Sequence, residues 1–521
     1  MGTPRVRFAP SPTGYFHVGS ARTALFNWLF ARQQGGVFVL RIEDTDAERN
    51  REEWVDGIRS AMAWLGMEPD EGPFRQSERG ERYQAAADAL WEAGYLYACD
   101  CSREQVVART RGNATPGYDG HCRERGLDRG SGALRFRTPT EGVTVVADVI
   151  RGEVSFPHEA MEDFVVVKSS GQPLFVLANV VDDRDMQITH VVRGEDLLPS
   201  TPKGILVWRA LDAAGVGLGT ALPVYAHLPM LVNEQRKKLS KRRDPVAVES
   251  YRDQGYLPEA FRNYLALLGW SPSGDREKVG LDVLVGEFRL EDVNHAPAFF
   301  DVRKLDHLNG EYLRDLAVDE FIARSRPWVV PGAEVAAGRW VPPGGSGPPW
   351  LPERYDQAVF ARLAPLVQER VTRLDQVPTM VDFVFLAEPA VDTGSWGKAI
   401  GSDPGAAGIL SAALGAYRAC PWTADGVREA TVAVGEAVGR KLAKAQAPVR
   451  VAVTGRTVGP PLFESLLVLG REEVLRRLAS ALERAGGTDA AAGGGGGAGV
   501  GGDHAGSGDG HQAPGDAAAA G

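Results

Sequence analysis

A strand, a helix and a second strand follow one another within the first 42 residues, and this order restricts the fold more than any other feature of the chain. A short apolar strand is predicted at residues 6–9, and a Pro-rich turn follows at residues 10–14. A helical pattern begins after Ser20, two glycines end it, and residues 37–42 form a second apolar strand. Strand, helix and strand at this spacing predict a βαβ unit and therefore a parallel sheet. Ligands of such sheets bind at the carboxyl ends of the strands, where the Pro-rich turn would lie.

Composition divides the remainder of the chain into further units. Cysteines, a Gly-rich loop and short β-like runs at residues 96–188 predict an α+β insertion into the parallel sheet, whose βα pattern resumes at residues 189–245. The sequence beyond is mostly helical, with a Pro/Gly-rich break at residues 341–352. Residues 486–521 are rich in Gly and Ala and cannot bury a core, so we expect a disordered tail and assign it no function.

Length and composition limit the class of protein. A chain of 521 residues exceeds one ordinary domain, and 44% hydrophobic with 24% charged residues is typical of a folded soluble protein. The first ten residues lack the apolar core of an export signal, no apolar run could cross a bilayer, and four cysteines do not make a disulfide scaffold. We therefore expect a cytoplasmic protein with no membrane partner. The net charge of −10 argues against non-specific nucleic-acid binding, but it leaves room for Lys and Arg confined to one face.

The segment after the Pro-rich turn has the features of a phosphate-binding site. The sequence His-Val-Gly-Ser at residues 17–20 leads into the first helix, so free backbone N–H groups and the positive end of the helix dipole would lie at the mouth of the sheet. Gly19 permits a flat base to approach the backbone, and His17 can donate to phosphate oxygens. A motif this short recurs by chance in many proteins and carries no conclusion alone.

A basic loop far downstream is the second phosphate-binding candidate. The sequence Lys-Leu-Ser-Lys-Arg at residues 238–242 carries two lysines that can converge on a triphosphate. They would offset the charge that develops as the α-phosphate is attacked and pyrophosphate leaves. Alone, this segment would fit a solvated basic loop better.

Together, in this order and separation, the two segments resemble the two ATP-binding motifs of class I aminoacyl-tRNA synthetases. The closer resemblance is to the bacterial glutamyl-tRNA synthetases, and it extends to about Arg484. The stretches that carry it are residues 7–28, 41–46, 178–202, 238–244, 300–314 and 451–478.

The resemblance implies a multidomain α/β plus α fold and a reaction. A Rossmann-like parallel-sheet catalytic domain would occupy residues 1–95 and 189–245, with the α+β insertion at 96–188 binding the tRNA acceptor end. A stem-contact domain would follow at 246–330 and a helical anticodon-binding domain at 331–485. The implied reaction is ligation of L-glutamate to tRNA(Glu) through a glutamyl-adenylate, with ATP and Mg²⁺. Members of the family are usually monomers and usually bind tRNA before they activate glutamate.

The resemblance also assigns the residues of the active site. Those that bind ATP would be His17, Gly19, Ser20, Lys238, Ser240 and Lys241, with His17, Lys238 and Lys241 catalytic. Those that bind glutamate would be Arg7, Ser11, Glu43, Phe175, Asn179 and Arg193. A planar guanidinium holds a carboxylate with two charge-assisted hydrogen bonds, which agrees with arginines as the carboxylate ligands. Ordinary structural interpretations also exist: Arg193 could pair with Glu195 or Asp196, and Glu43, matched to the ammonium ligand, could balance Arg41.

One position departs from the family pattern. The family usually has a tyrosine four residues before the matching asparagine, and this chain has Phe175. Loss of one neutral hydrogen bond costs about 1 kcal/mol, so the pocket would bind glutamate more weakly or be tuned differently. Ser20 stands where the first motif often has histidine, which is common in this family.

Three cysteines are close enough in the sequence to form a zinc site. A Cys-x-Cys pair followed by a third cysteine can build a tetrahedral site in a cytosolic protein. The family match implies Cys99, Cys101 and Cys122, with Tyr118 as the fourth ligand, around one structural Zn²⁺. His121 is chemically the more usual ligand, and three reduced cysteines without metal are the alternative.

The same nucleotide fold is compatible with other functions. An enzyme that glutamylates a modified tRNA base resembles the catalytic half but lacks the helical half. Glutaminyl-tRNA synthetase has β-barrels where this chain is predicted to be helical. A paralogue that also charges tRNA(Gln) stays open, and a non-catalytic tRNA-binding paralogue is disfavoured by the intact lysine motif.

Overall fold

The structure is a computed structural model that describes residues 3–46, 48–112, 117–216, 221–239, 246–332 and 348–492. Its strands are β1 (Arg5–Phe8), β2 (Val37–Ile42), β3 (Glu71–Arg75), β4 (Leu96–Cys99), β5 (Ala133–Phe136), β6 (Val143–Asp148), β7 (Gly152–Pro157), β8 (Val165–Val167), β9 (His190–Gly194), β10 (Val224–Leu228), β11 (Leu231–Val232) and β12 (Ala298–Phe299). The helices of the first two hundred and fifty or so residues are α1 (Val18–Gln33), α2 (Glu52–Trp64), α3 (Gly80–Glu92), α4 (Arg103–Thr110), α5 (Phe175–Asp185), α6 (Thr201–Ala213) and α7 (Val248–Asp253).

Helices dominate the remainder of the chain. They are α8 (Pro258–Ala266), α9 (Leu281–Glu287), α10 (Val302–Asp315), α11 (Val318–Val329), α12 (Gln357–Gln368), α13 (Val377–Phe385), α14 (Thr393–Trp396), α15 (Ala406–Ala419), α16 (Ala424–Ala437), α17 (Leu442–Thr454), α18 (Leu462–Leu469) and α19 (Arg471–Ala492). Within the described ranges, no helix is both long and apolar enough to span a bilayer.

A seven-stranded sheet forms the centre of the N-terminal part, in the order β3-β2-β1-β9-β10-β6-β7. Every neighbouring pair is parallel except β6 and β7, which form an antiparallel hairpin. The predicted βαβ unit is confirmed, since β1 and β2 are parallel neighbours joined by α1. The carboxyl ends of β1 and β9 therefore lie side by side at the edge where ligands of such sheets bind.

The helix α1 is held at both ends by local chemistry. His17 is its N-cap, and its Nδ1 accepts a hydrogen bond of 2.9 Å from the backbone N–H of Gly19. Gly35, at a φ of +62°, follows the last turn in the left-handed conformation that favours glycine. A Cβ on Gly36 would lie 2.5 Å from the carbonyl oxygen of Pro4, so only glycine lets the chain return directly into β2. His17 and the two glycines thereby set where α1 begins, at the carboxyl end of β1, and where it ends, before β2.

The predicted insertion contributes to two different sheets. Strands β4, β5 and β8 form a separate three-stranded antiparallel sheet. The hairpin β6–β7 instead extends the main sheet, where β6 pairs with β10 at Asp148 and Tyr225. Part of residues 96–188 is thus continuous with the main sheet, and Asp148, the last residue of β6, reaches the site described below.

The chain divides into two compact units, Met1–Phe385 and Leu386–Gly521. The predicted boundary between the helical domains at residue 330 lies inside the first unit, which includes α12 and α13. The second unit has its own apolar core, built from α15 to α19 around residues such as Ile409, Val449 and Leu466. Its last helix continues to Ala492, past the predicted start of the tail at residue 486, and residues 493–521 of that tail lie outside the described residues.

Candidate active site

A cleft of 450 Å³ opens at the carboxyl ends of β1 and β9, beside the N-terminus of α1. It brings together every predicted substrate residue that the structure describes: Arg7, Ser11, His17, Gly19, Ser20, Glu43, Phe175, Asn179, Arg193 and Lys238. Ser240 and Lys241 lie outside the described residues. Residues predicted from four distant parts of the sequence therefore line one cavity. A larger cavity of 940 Å³, around Trp64 and Trp328, contains none of them.

The N-terminus of α1 forms the side of the cleft that the sequence predicts to bind the nucleotide. Because Nδ1 of His17 accepts from Gly19, its Nε2 carries the N–H of the neutral ring. A Cβ on Gly19 would lie 3.2 Å from that Nδ1, so a larger residue would crowd the capping ring. This end of the helix thus combines an imidazole donor with the positive end of the dipole, as phosphate binding requires.

Lys238 lies at the rim of the same cleft, on the segment after β11. Its Nζ donates to Oδ2 of Asp196 at 3.1 Å, and both side chains are more than half exposed. An exposed pair of this kind contributes little to stability and exchanges easily. Lys238 can therefore leave Asp196 for a phosphate at small energetic cost.

Arg7 lies buried on β1 and is already paired with a carboxylate. Its Nε donates to Oδ1 of Asp183 at 3.1 Å, and its Nη2 lies 3.4 Å from Oδ1 of Asn179. Asp183 also accepts from the fully buried Arg41 at 2.7 Å. The pKa of Asp183 is held low although burial opposes its ionisation, because these two arginines outweigh burial. The charge of Arg7 is thus largely balanced within the protein.

Arg193, on β9, has a different environment. Its Nη2 donates to the hydroxyl of Thr201 at 2.8 Å and its Nε to Nε2 of His227 at 3.3 Å, and within the described part of the chain it pairs with no carboxylate. Burial, followed by repulsion from Arg7, lowers its pKa to about 10. The predicted alternative of an ordinary ion pair fails, since Glu195 pairs with Arg151 and Asp196 with Lys238. A buried cation without a direct anionic partner can bind a carboxylate from a ligand.

Glu43 lies across the cleft, after β2. Its Oε1 is 3.5 Å from Nη2 of Arg41 and accepts a hydrogen bond from Nδ2 of Asn179. The sequence-level alternative that Glu43 balances Arg41 therefore holds in part. Burial raises the pKa of this carboxyl, against the opposing effect of Arg41 and Arg7. Because Glu43 also lines the cleft, an ammonium group could bind there and offset its burial.

Phe175 and Asn179 belong to α5, one turn apart on one face, so both reach the cleft. The Phe175 ring provides an apolar wall without a hydroxyl group. Ser11 also lines the cleft, in the segment after β1.

The three predicted zinc-binding cysteines are close together. The sulfur atoms of Cys99, Cys101 and Cys122 all lie within 4.8 Å of one another, and Cys101 and Cys122 are 3.4 Å apart, too far for a disulfide. The hydroxyl of Tyr118 lies 3.6 Å from the sulfur of Cys99. His121 is exposed and outside this group. With Zn–S bonds of about 2.3 Å, tetrahedral ligand atoms lie roughly 3.8 Å apart, so three sulfurs and one phenol oxygen fit a zinc ion.

Three residues around the cleft were not singled out from the sequence: Asp183, His227 and Asp148. Asp183 balances Arg7, and His227 contacts Arg193 and is itself held by Asp148 at 2.6 Å. The sequence feature that could have identified His227 is its place as a polar residue within the otherwise mostly apolar strand β10. Such a residue needs a buried partner, but its identity depends on strand order, which the sequence does not state.

The comparisons with known proteins agree with this geometry. The family model for the catalytic domain of class I tRNA synthetases (E and Q) matches residues 4–307, and an anticodon-binding domain model matches residues 320–482. The parallel sheet, the capped N-terminus of α1 and the lysine loop are therefore those of a class I aminoacyl-tRNA synthetase.

Individual relatives show which family of class I aminoacyl-tRNA synthetases the chain resembles. The glutamate–tRNA ligase of Salinispora arenicola is 55% identical over 486 residues, covering 92% of this chain and 99% of the relative. That of Frankia casuarinae is 55% identical, covering 93% and 99%. A solved glutamate–tRNA ligase from Elizabethkingia meningosepticum, in complex with its amino acid, is 30% identical with a TM-score of 0.74, covering 92% and 99%. The chain belongs to the glutamate–tRNA ligase family.

Proposed function

We propose that this protein ligates L-glutamate to tRNA(Glu) at the expense of ATP, through a glutamyl-adenylate. The observation that carries the proposal is Arg193, a buried cation without a carboxylate partner in the described structure. It lies in the same cleft as the N-terminus of α1 and Lys238. An acidic amino acid and a nucleoside triphosphate are the pair of ligands that these charges suit.

The charges of the cleft assign an orientation to glutamate. The side-chain carboxylate binds Arg193, which forms no direct ion pair with a described residue, with Arg7 beside it. The ammonium group binds Glu43, and Asn179 and Ser11 supply hydrogen bonds. This arrangement leaves the α-carboxylate free to face the nucleotide at His17 and Gly19.

Adenylate formation follows from this orientation. An oxygen of the α-carboxylate attacks the α-phosphorus of ATP, the bond to the bridging oxygen breaks, and pyrophosphate leaves with Mg²⁺. His17 donates to the phosphate oxygens, the positive end of the α1 dipole offsets their charge, and Lys238, with the predicted Lys241, stabilises the leaving charge. The terminal ribose hydroxyl of the tRNA, the 2′-OH in class I enzymes, then attacks the acyl carbonyl and AMP leaves.

A zinc ion bound by Cys99, Cys101, Cys122 and Tyr118 would have a structural role. The site lies in the separate three-stranded sheet region, and its group is not part of the substrate cleft. Nη1 of Arg125 lies 3.2 Å from the sulfur of Cys122, and Nη2 of Arg109 lies 3.4 Å from that of Cys101. The two guanidinium groups can therefore stabilise these cysteines as thiolates, the form that binds a metal. We propose that zinc shapes this region for the acceptor end of tRNA.

The test is the charging of radiolabelled glutamate onto tRNA(Glu), with tRNA(Gln) and labelled glutamine as comparisons. Glutamate on tRNA(Glu) with no glutamine transfer is the expected result. If no tRNA is charged with glutamate, the proposal is wrong, whereas equal charging of tRNA(Gln) would identify a non-discriminating enzyme.

Two further properties are proposed from the resemblance to the family. The enzyme acts in the cytoplasm, where tRNA, glutamate and ATP occur together, and it acts as a monomer. Light scattering during size-exclusion chromatography checks the second, with the mass of one chain, 56.0 kDa, as the expected value.

A further inference from the structure

Arg193 and His227 are direct neighbours across two parallel strands. The register of β9 and β10 pairs these two residues, so both side chains lie on the same face of the sheet. Arg193 lines the cleft, whereas His227 is fully buried behind it. The histidine therefore acts on the substrate only through the arginine.

The contacts of Arg193 use only one side of its guanidinium. Nε donates to His227 and Nη2 to Thr201, which occupies the Nε/Nη2 side of the planar group. Nη1 makes no hydrogen bond to any residue that the structure describes. The Nη1/Nη2 end is the geometry that holds a carboxylate with two parallel bonds, and it is left for the cleft.

His227 accepts from Arg193 only if its proton lies on the other ring nitrogen, and Asp148 selects that tautomer. The carboxylate of Asp148 lies 2.6 Å from Nδ1 of His227 and also accepts from the backbone N–H groups of His227, Ile150 and Arg151. Nδ1 therefore donates, and Nε2 presents its lone pair to Arg193 and to the hydroxyl of Thr201, at 2.9 Å.

The surroundings keep this histidine neutral. Burial lowers the pKa of His227, and the positive charges of Arg193 and Arg151 act in the same direction against the effect of Asp148. The ring of Tyr225 stacks on it at 6.2 Å, with planes 12° apart, which restrains ring rotation. A protonated His227 could not accept from Arg193 and would repel it.

We propose that Asp148 and His227 are positioning residues that turn the Nη1/Nη2 end of Arg193 toward the side-chain carboxylate of the amino acid. This role rests on the proposed function, because it concerns the same carboxylate. The proposed role links three neighbouring strands: Asp148 on β6 orients His227 on β10, and His227 orients Arg193 on β9. Asp148 and His227 touch no substrate and take no part in proton transfer.

Steady-state charging kinetics with His227→Phe and His227→Gln test the role. Phenylalanine removes the acceptor, whereas the glutamine side-chain oxygen can occupy nearly the position of Nε2. Loss of one oriented hydrogen bond predicts a KM for glutamate raised about tenfold in His227→Phe, with the KM for ATP within about twofold of wild type. His227→Gln should stay within about threefold of wild type for both substrates. His190→Phe is the matched control, since His190 lies on β9, bonds Thr189 at 2.8 Å and is outside the cleft.

The tautomer of His227 is a second measurement, and it distinguishes the positioning role from a purely structural one. The chain has nine histidines, so ¹⁵N spectra of histidine-labelled wild type and His227→Phe identify the His227 signals by difference. A neutral ring with the proton on Nδ1 at pH 7 is expected, and Asp148→Asn should shift it toward the other tautomer with a similar rise in KM for glutamate. A proton on Nε2, an unchanged KM in a folded His227→Phe, or equal changes for glutamate and ATP would each overturn the proposal. If wild type itself charges no glutamate, the proposed function falls instead, and the positioning role falls with it.

Discussion

Arg7 and Arg193 lie beside each other at the floor of the cleft, yet their charges are balanced in different ways. Arg7 shares Asp183 with Arg41, so its burial is offset within the protein. Among the residues that the structure describes, Arg193 has only the neutral groups of Thr201 and His227 as hydrogen-bond partners. An uncompensated buried cation reduces the stability of the fold, and the bound carboxylate removes that penalty.

This difference predicts opposite effects of the same substitution at the two positions. Arg193→Met should leave the free energy of unfolding unchanged or raise it by about 1 kcal/mol, because a buried cation is replaced by an apolar side chain. Arg7→Met should lower it by about 2 kcal/mol or more, because Asp183 loses one of two partners. Urea unfolding followed by circular dichroism measures both values.

Glutamate binding should nonetheless be lost in both variants. We expect kcat/KM for glutamate to fall about 100-fold or more in each, from the loss of charge-assisted hydrogen bonds. The contrast in stability is the decisive part. If Arg193→Met is as destabilised as Arg7→Met, Arg193 is not an uncompensated charge and its place as the carboxylate ligand loses its main support.

A substitution at Phe175 provides a second test of the glutamate-binding site. Phe175→Tyr adds the hydroxyl that the family usually has at this position, on a residue that lines the cleft. One added hydrogen bond to glutamate should lower KM for glutamate by about fivefold and leave KM for ATP unchanged. An unchanged or higher KM for glutamate would mean that this cleft has been rebuilt around phenylalanine.

At the scale of the residue, the sequence predicts the groups that line the cleft better than the groups behind them. Arg193 and Glu43 could be assigned because the motifs around them match a family. Asp183 and Asp148 could not, since each finds its partner through strand and helix packing between distant segments. The same packing decided that Glu195 pairs with Arg151 and not with Arg193.

At the scale of the element, the imidazole ring of His17 has two roles at the N-terminus of α1. Nδ1 of His17 caps the helix, and Nε2–H is the donor for a phosphate. His17→Asn should keep the cap and so preserve stability, but its shorter side chain should lower kcat for ATP–pyrophosphate exchange about 100-fold. His17→Ala should lose the cap as well and lower the free energy of unfolding by about 1 kcal/mol. Equal stability losses in the two variants would contradict the capping role.

The zinc-binding segment gives a prediction that does not depend on activity. Purified protein should contain about one zinc per chain, and chelation should expose three reactive thiols in addition to Cys420. Tyr118→Phe should weaken zinc binding, because one ligand is lost, whereas His121→Ala should not, since His121 is outside the cluster. Zinc is measured by atomic emission during competition with a chelator. Tight binding in Tyr118→Phe and loss in His121→Ala would reverse the ligand assignment.

The elements also show where sequence periodicity stops being informative. The strand–turn–helix–strand order of β1, α1 and β2 is predictable, because prolines and glycines mark each boundary locally. Strand β6 alternates exposed and buried residues in the structure, but it exposes Val143 and Val145 and buries Thr144, so its hydrophobic pattern predicts neither its buried face nor the sheet to which it belongs. Its pairing with β10 brings Asp148 to His227, so the part of the site most remote from the motifs depends on the least predictable pairing.

At the scale of the whole molecule, the two compact units have separate apolar cores. The core around α1 and the main sheet lies within Met1–Phe385, and that around Ile409 and Leu466 within Leu386–Gly521. The described residues of the substrate cleft all belong to the first unit. Units with separate cores commonly unfold in separate steps.

Calorimetry of the full chain should therefore show two unfolding transitions, and substrates should act on one of them. Glutamate with a non-hydrolysable ATP analogue binds only the folded first unit, and at about 100 times Kd it should stabilise that unit by roughly 2.7 kcal/mol. The transition of the second unit should stay in place, because none of the described cleft residues belongs to it. Arg193→Met is the matched control, since we expect its first unit to fold and to shift with the ATP analogue but not with glutamate alone. A single transition would show instead that the units unfold as one, and a shift of the second transition alone would place the amino-acid site outside the cleft.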